Sequence, residues 1–113
     1  CGHYPTKGPA ERAAERFCAE GKMRVLPYIG FDLVRDQGFR GDHAARWETS
    51  LLMALEPDLV DLSRLGEPGP DGYLGVMGED PTTASAAYGE QGIAAMTSAL
   101  KQKIEEALGQ APL

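Results

Sequence analysis

The chain has 113 residues, of which 42% are hydrophobic and 25% charged, and this composition is ordinary for one globular domain with a modest core. Its formal net charge of -6, without a cluster of lysine or arginine, argues against binding to a phosphate backbone, so nucleic acid is not an expected partner. No apolar run approaches the roughly 20 residues that cross a bilayer, and no cleavable leader is recognisable. We therefore expect a soluble cytoplasmic protein with no membrane partner.

The first half of the chain predicts a helix followed by a strand. Ala10–Glu20 alternates charged and small apolar residues at helical spacing, and Gly21 is suited to cap its end. Met23–Ile29 is a short apolar run of the kind found in buried strands, although Pro27 favours an edge or a bulge. The glycine-containing stretch Phe31–Gly41 predicts a loop.

The second half predicts two helices separated by a long loop. Asp42 is a plausible N-cap for a helix over His43–Leu55, which the proline at position 57 ends. Leu65–Pro81 is rich in glycine and proline and predicts an irregular loop of a length that is often functional. A last helix follows Pro81, and its apolar positions keep helical spacing at Ile93, Met96, Leu100, Ile104 and Leu108.

Two glycines, Gly89 and Gly92, are expected to weaken the first half of that last helix. The order of helices and strands favours an α/β layer arrangement over a helix bundle. Because one or two strands cannot make a sheet alone, further strands have to come from elsewhere.

Glu48 stands out on the helix predicted from His43. Its spacing places it on the same stripe as three leucines, at positions 51, 52 and 55, which predicts a carboxylate that faces the core. A buried carboxylate has to be paired, protonated or bound to a metal. One interpretation is therefore a catalytic or metal-binding glutamate, and the other is an ion pair with Arg24, Arg40 or Arg46.

The two histidines, His3 and His43, both lie where a loop meets a helix. Two histidines and a buried glutamate are the residue types that a hydrolytic zinc or manganese site uses. For His43 alone, the plainer interpretation is a solvent-exposed side chain near the helix cap. Of the two cysteines, Cys18 fits a small buried side chain, whereas Cys1 opens the chain without a preceding Met. That opening indicates a fragment or a processed product.

Several motifs, in this order, resemble those of creatininase-type amidohydrolases. They are Gly2-His3-Tyr4, Asp42-His43-Ala44, Glu48-Thr49-Ser50, Pro57-Asp58-Leu59-Val60, and Gly75 to Pro81 followed by Ala84 and Gly89. The resemblance covers nearly the whole chain and is specific only in combination. It departs from the family pattern at Pro5, where creatininase has a glutamate ligand, and in lacking a Glu-x-His motif followed by an aspartate.

The resemblance implies a three-layer α/β/α sandwich, of which residues 1–113 are the C-terminal portion of one domain. The missing strands and metal ligands would come from an N-terminal segment or a partner chain of the same precursor. The resemblance also implies two divalent ions, zinc or manganese, with iron as a further option. A small-molecule amide as substrate and a homo-oligomeric assembly are likewise implied.

Each candidate residue takes a role from the same resemblance. His3 resembles a metal ligand, and His43 resembles the residue that carries a proton between the attacking water and the leaving nitrogen. Glu48 is expected either as a ligand or as a carboxylate that supports one. Tyr4 would line the substrate pocket, and its alternative role is packing on the first helix.

Three functions follow. The first is hydrolysis of a C–N amide or lactam bond by metal-activated water. In the second, the precursor cleaves itself before Cys1, whose thiol then lies beside its own α-amine as a nucleophile, although a truncated chain explains the same start. The third is a binding or assembly subunit that has kept the fold and lost catalysis.

Overall fold

Three α-helices carry the regular structure of the computed structural model, which describes residues 4–21 and 23–109. They are α1 (Lys7–Ala19), α2 (Arg46–Leu55) and α3 (Ala86–Leu108). Short 3₁₀ turns lie at Tyr4–Thr6, Gly30–Leu33, Arg35–Gln37, Pro57–Leu59, Leu62–Arg64 and Pro81–Thr83. None of the described helices is long and apolar enough to cross a membrane.

Helix α1 begins at Lys7, three residues before the predicted start. This leaves Pro9 within the first turn, where a missing backbone N–H removes no helical hydrogen bond. After the helix, Gly21 has a φ of 64° and donates its N–H to the carbonyl of Cys18. The predicted glycine cap is therefore confirmed, because this left-handed conformation suits glycine.

The strand predicted at Met23–Ile29 is not formed. Residues 23–29 contain no helix, turn or bend, but they pair with no other strand of the described chain. Only two isolated β-bridges occur in that part, His43 with Met77 and Gly69 with Gly72. An apolar segment needs a hydrogen-bonded neighbour to become a strand, so the predicted three-layer sandwich is not confirmed here.

The core is small and lies where α2 meets α3. Its buried members are Ile29, Phe31, Val34 and Trp47, and Val34 is completely inaccessible to solvent. The stretch Phe31–Gly41, predicted as a loop, contains two 3₁₀ turns and supplies two of these four side chains. The prediction was incomplete because such short turns carry no helical periodicity in the sequence.

Helices α2 and α3 approach closely because α3 carries glycines at the crossing. A Cβ on Gly92 would lie 2.6 Å from the ring of Trp47, and one on Gly89 would collide with the carbonyl of Ser50. Both glycines are buried. The expectation that they weaken the helix misses their role, which is to let two backbones pack against each other.

This crossing also fixes which face of α2 is buried. The buried positions are Trp47 and Ser50, whereas Leu52 and Leu55 are 40% and 64% exposed. Glu48 is half-buried. Of the three leucines predicted to face the core, Leu51 packs against it, whereas the prediction is wrong for Leu52 and Leu55, because the buried face of α2 is the one that meets the two glycines of α3.

The molecule is elongated, with a Cα radius of gyration of 17.1 Å and extents of 54 × 25 × 25 Å. A compact domain of this length has a radius of about 13 Å. Away from the crossing, large apolar side chains stay exposed, among them Phe17, Met23, Leu26, Ile104 and Leu108. The described residues thus enclose one small core and leave these apolar side chains at the surface.

Candidate active site at the start of helix α2

Asp42 caps helix α2 from outside its first turn. Its Oδ2 accepts a hydrogen bond from the N–H of Trp47 at 2.6 Å, and its Oδ1 accepts one from the N–H of Glu48 at 3.1 Å. These two N–H groups lack partners within the helix, so the carboxylate stabilises the helix start. The predicted capping role is confirmed, although the helix begins at Arg46 and not at His43.

His43 lies before the helix, in a short antiparallel bridge. Its N–H donates to the carbonyl of Met77 at 2.8 Å, and its carbonyl accepts from the N–H of Met77 at 2.9 Å. A third bond, from the N–H of Arg46 to the carbonyl of Glu79 at 3.3 Å, extends the attachment. The loop predicted at Leu65–Pro81 is thereby fixed across the backbone of His43, which is exposed.

Ala44 has a φ of 50°, an unusual conformation for a residue with a side chain. Such a conformation costs roughly 1–2 kcal/mol. Two neighbours on α2 support it: Glu48 Oε2 accepts the N–H of Ala44 at 2.9 Å, and the hydroxyl of Thr49 donates to the carbonyl of Ala44 at 3.4 Å. Glu48 and Thr49 therefore hold the backbone of Ala44, the residue that follows His43.

The alternative of an internal ion pair for Glu48 is not observed within residues 4–21 and 23–109. Arg24 donates from Nη1 to the carbonyl of Ala107 at 2.7 Å, at the far end of α3. Arg46 pairs with Glu79, with Nη1 and Oε2 2.9 Å apart. The carboxylate of Glu48 instead bonds to the main chain.

Ser50 completes the Glu-Thr-Ser motif by joining α2 to α3. Its hydroxyl is fully buried, donates to the carbonyl of Arg46 at 2.6 Å and accepts the N–H of Ser85 at 3.0 Å. Ser85 in turn accepts the N–H of Tyr88 and so caps α3. Sequence reasoning missed this role because no spacing rule links residues 35 positions apart.

A cavity of about 250 Å³ is lined by Gly41 and Asp42, which directly precede His43 in the chain. The guanidinium of Arg46 lies 4.1 Å from the ring centroid of Tyr88 and pairs with Glu79. The remaining lining comes from Arg40, Gly41, Asp42, Trp47 and Gly78. Among the described residues Arg46 Nε has no hydrogen-bond partner although it is buried. No sequence motif indicates this cluster, because its members are far apart in the chain.

The described residues do not form a metal site by themselves. No three histidine, cysteine, aspartate or glutamate side chains converge in the part of the chain that the structure describes. Both oxygens of Asp42 and one of Glu48 accept backbone N–H groups. Cys1 and His3 lie outside the described residues, as does the side chain of Tyr4. The assignment of His3 and Glu48 as ligands stays a prediction.

The decisive comparison is with protein families. A family model described as Creatininase, creatinine amidohydrolase, matches residues 1–104. The chain belongs to the creatininase family. This membership assigns it to the metal-dependent amidohydrolases and to their α/β fold at the coarse level, and it confirms the resemblance noted in the sequence. Comparison with curated proteins and with solved structures found no match.

Proposed function

We propose that this creatininase-family protein hydrolyses a C–N amide or lactam bond of a small molecule, and that His43 protonates the leaving nitrogen. The observation that carries the proposal is the bridge between His43 and Met77. It fixes the backbone of an exposed histidine whose neighbour Asp42 lines a cavity, in a chain whose family is amidohydrolytic. A histidine with a fixed backbone and an accessible imidazole is suited to general acid–base catalysis.

The chemistry assigned to this chain is proton transfer. As the C–N bond breaks, the departing nitrogen needs a proton, and the imidazolium of His43 supplies it. The family's divalent ions would activate water and polarise the carbonyl when bound.

Glu48 acts in this proposal as a positioning residue. It accepts the N–H of Ala44, and this bond fixes the peptide next to His43. Small displacements of a catalytic group are costly for rate, so groups that hold the backbone contribute without touching the substrate. This role is compatible with the sequence-based expectation that Glu48 supports a ligand or serves as one.

The test uses the full-length protein with a panel of cyclic amides and formamides, and with anilides of graded leaving-group basicity. We expect His43→Ala to lower kcat by about 10²- to 10⁴-fold on unactivated amides. The loss should shrink for nitrogens that leave without a proton, and added imidazole should restore part of the activity. A uniform loss across all leaving groups, without rescue, would remove His43 from the proton-transfer role.

Two Glu48 variants separate positioning from metal ligation. Glu48→Gln keeps an oxygen that can accept the N–H of Ala44, whereas Glu48→Ala does not. If Glu48 only positions the backbone, Glu48→Gln should retain most activity and all bound metal, and Glu48→Ala should lose activity at unchanged metal content. Loss of metal in both variants would instead assign Glu48 as a ligand.

Elemental analysis of the unmodified protein has to come first. The absence of a stoichiometric divalent ion there would overturn the hydrolase proposal.

A further inference from the structure

The cavity of about 250 Å³ at the start of α2 has two guanidinium groups in its wall, those of Arg40 and Arg46. Arg46 stacks on the ring of Tyr88 and donates from Nη1 to Oε2 of Glu79 at 2.9 Å. Neither of its other two guanidinium nitrogens has a hydrogen-bond partner among the described residues, and Nε is buried. Because a buried N–H without an acceptor is destabilising, the pairing of Arg46 within this part of the chain is incomplete.

Arg40 brings a second guanidinium with unused donors to the same cavity. Its side chain is exposed, and it forms no hydrogen bond or ion pair within residues 4–21 and 23–109. A guanidinium has five N–H donors in a planar fork, has no acceptor and stays charged at physiological pH. The wall therefore carries two permanent positive charges whose donors exceed their partners.

The carboxylates that line the cavity are already engaged. Both oxygens of Asp42 accept backbone N–H groups, those of Trp47 and Glu48. Glu79 accepts from Nη1 of Arg46. A ligand that completes the hydrogen bonding of this cavity has to bring acceptors, so its group here is an anion or another strong acceptor.

Charge and shape select a carboxylate among the anions. The formal charges in the wall balance, with Arg40 and Arg46 against Asp42 and Glu79, and the start of α2 adds about half a positive charge. This balance suits a monoanion better than a phosphate dianion. A planar carboxylate also matches the fork of a guanidinium with two parallel hydrogen bonds. The cavity volume is below the usual range for ligand pockets, so it fits one small group.

We propose that this cavity binds a carboxylate group of the substrate, so that the protein hydrolyses small amides that carry a carboxylate. The inference rests on the proposed function, because Asp42 in the cavity wall directly precedes His43. The Cα atoms of consecutive residues are about 3.8 Å apart, so an anion held here lies close to the backbone of His43. Arg40 and Arg46 then bind the anionic end of the molecule whose leaving nitrogen His43 protonates.

Kinetics of the full-length protein on paired substrates test the specificity. The panel holds N-formyl amino acids and lactam carboxylic acids, each beside its uncharged carboxamide. We expect kcat/KM to be higher for the anionic member by about tenfold or more, as for a charge-assisted hydrogen bond. Equal or faster hydrolysis of the carboxamides would overturn the proposal.

Two arginine variants assign that preference to the cavity. Arg40→Gln should lower the ratio of the two kcat/KM values by about tenfold. Arg64→Gln is the matched control, because Arg64 is exposed, does not line the cavity and carries the same charge. The control should leave the ratio unchanged. An equal fall of the ratio in both variants would attribute the preference to net charge and overturn the proposal.

Glu79→Gln tests the same site by a gain. It removes the carboxylate that competes for Arg46, and the side chain of Glu79 is 61% exposed, so the fold should tolerate the change. We expect the preference for the anionic substrates to rise several-fold. A loss of fold cannot produce such a rise. A fall in the preference would contradict the assignment of Arg46 to the carboxylate.

Binding of butanoate, with butanamide as the uncharged control, tests the cavity without catalysis. In the full-length protein, butanoate should shift the Nε–Hε resonances of Arg40 and Arg46 with one common Kd, whereas butanamide should not. The resonance of Arg64 should stay in place. Tighter binding of inorganic phosphate than of butanoate would overturn the choice of a carboxylate.

Butanoate should also inhibit the hydrolysis of the anionic amides competitively. Non-competitive inhibition or activation would show a separate effector site and overturn the substrate assignment. Hydrolysis without butanoate binding would overturn the carboxylate site alone. Butanoate binding by a protein that cleaves no amide would instead overturn the hydrolase proposal and, with it, the assignment of the carboxylate to a substrate.

Discussion

The two halves of helix α3 have different surroundings. Its first half crosses α2 through Gly89 and Gly92 and covers Trp47, whereas its second half carries Leu100, Ile104 and Leu108 with exposed fractions from 39% to 80%. Both halves are apolar at helical spacing. The difference shows that apolar periodicity predicts a helix, but that burial depends on whether another backbone can approach.

The largest effect is expected at the crossing, where Gly89→Ala places a methyl group against the carbonyl of Ser50. Forcing α2 and α3 apart should lower the free energy of unfolding by about 3 kcal/mol. Gly8→Ala in α1 is the matched control, because its methyl group meets only the flexible end of Arg12.

The control should raise stability by about 0.5–1 kcal/mol, through higher helix propensity and a less flexible unfolded chain. Urea denaturation of both variants measures the difference. Equal and small changes in the two variants would show that α2 and α3 do not pack as closely as the structure shows.

The next largest effect is expected from Ser50→Ala. This change leaves the N–H of the partly buried Ser85 without its acceptor, and such a loss costs about 1–3 kcal/mol. Ser63→Ala removes a hydroxyl that bonds to Asp61 in an exposed turn, so its effect should stay within about 0.5 kcal/mol. Thermal unfolding of the pair gives the comparison. A destabilisation by Ser63→Ala as large as that by Ser50→Ala would contradict the proposed link between α2 and α3.

A smaller effect is expected at the start of α2. Asp42→Ala removes the acceptor for two N–H groups, and loss of such a cap costs about 0.5–2 kcal/mol. Asp58→Ala, at an exposed position, is the control. Because the cap lies next to His43, the Asp42 variant should also lower kcat more than its stability loss explains. If kcat at saturating substrate stayed unchanged, the Asp42 cap would have no role in positioning the candidate active site.

Sequence patterns predicted what depends on local interactions. Helix α1, its cap at Gly21, the capping role of Asp42 and the irregular stretch before Pro81 follow from propensities and caps that act within a few residues. The rotation of α2 about its axis could not be predicted in this way, because it is fixed by contacts with glycines about 40 positions away. The strand at 23–29 also failed to form, since pairing is a property of two segments.

The candidate site likewise contains residues that local spacing predicts and contacts that only the folded structure reveals. Local spacing singled out His43 and Glu48, but only the structure revealed that Met77 fixes the first and that Ala44 bonds to the second. The cluster of Arg46, Glu79 and Tyr88 joins residues far apart in the sequence, so no motif indicates it.

The smallest effect is expected at the open end of α3. Leu108 is 80% exposed, so Leu108→Gln should change the free energy of unfolding by no more than about 0.5 kcal/mol. The same substitution at the partly buried Leu51, which packs against the core, should cost about 2 kcal/mol, because it places an amide against apolar side chains. If Leu108→Gln proved as destabilising as Leu51→Gln in denaturant titrations, the last turn of α3 would have to be covered in solution.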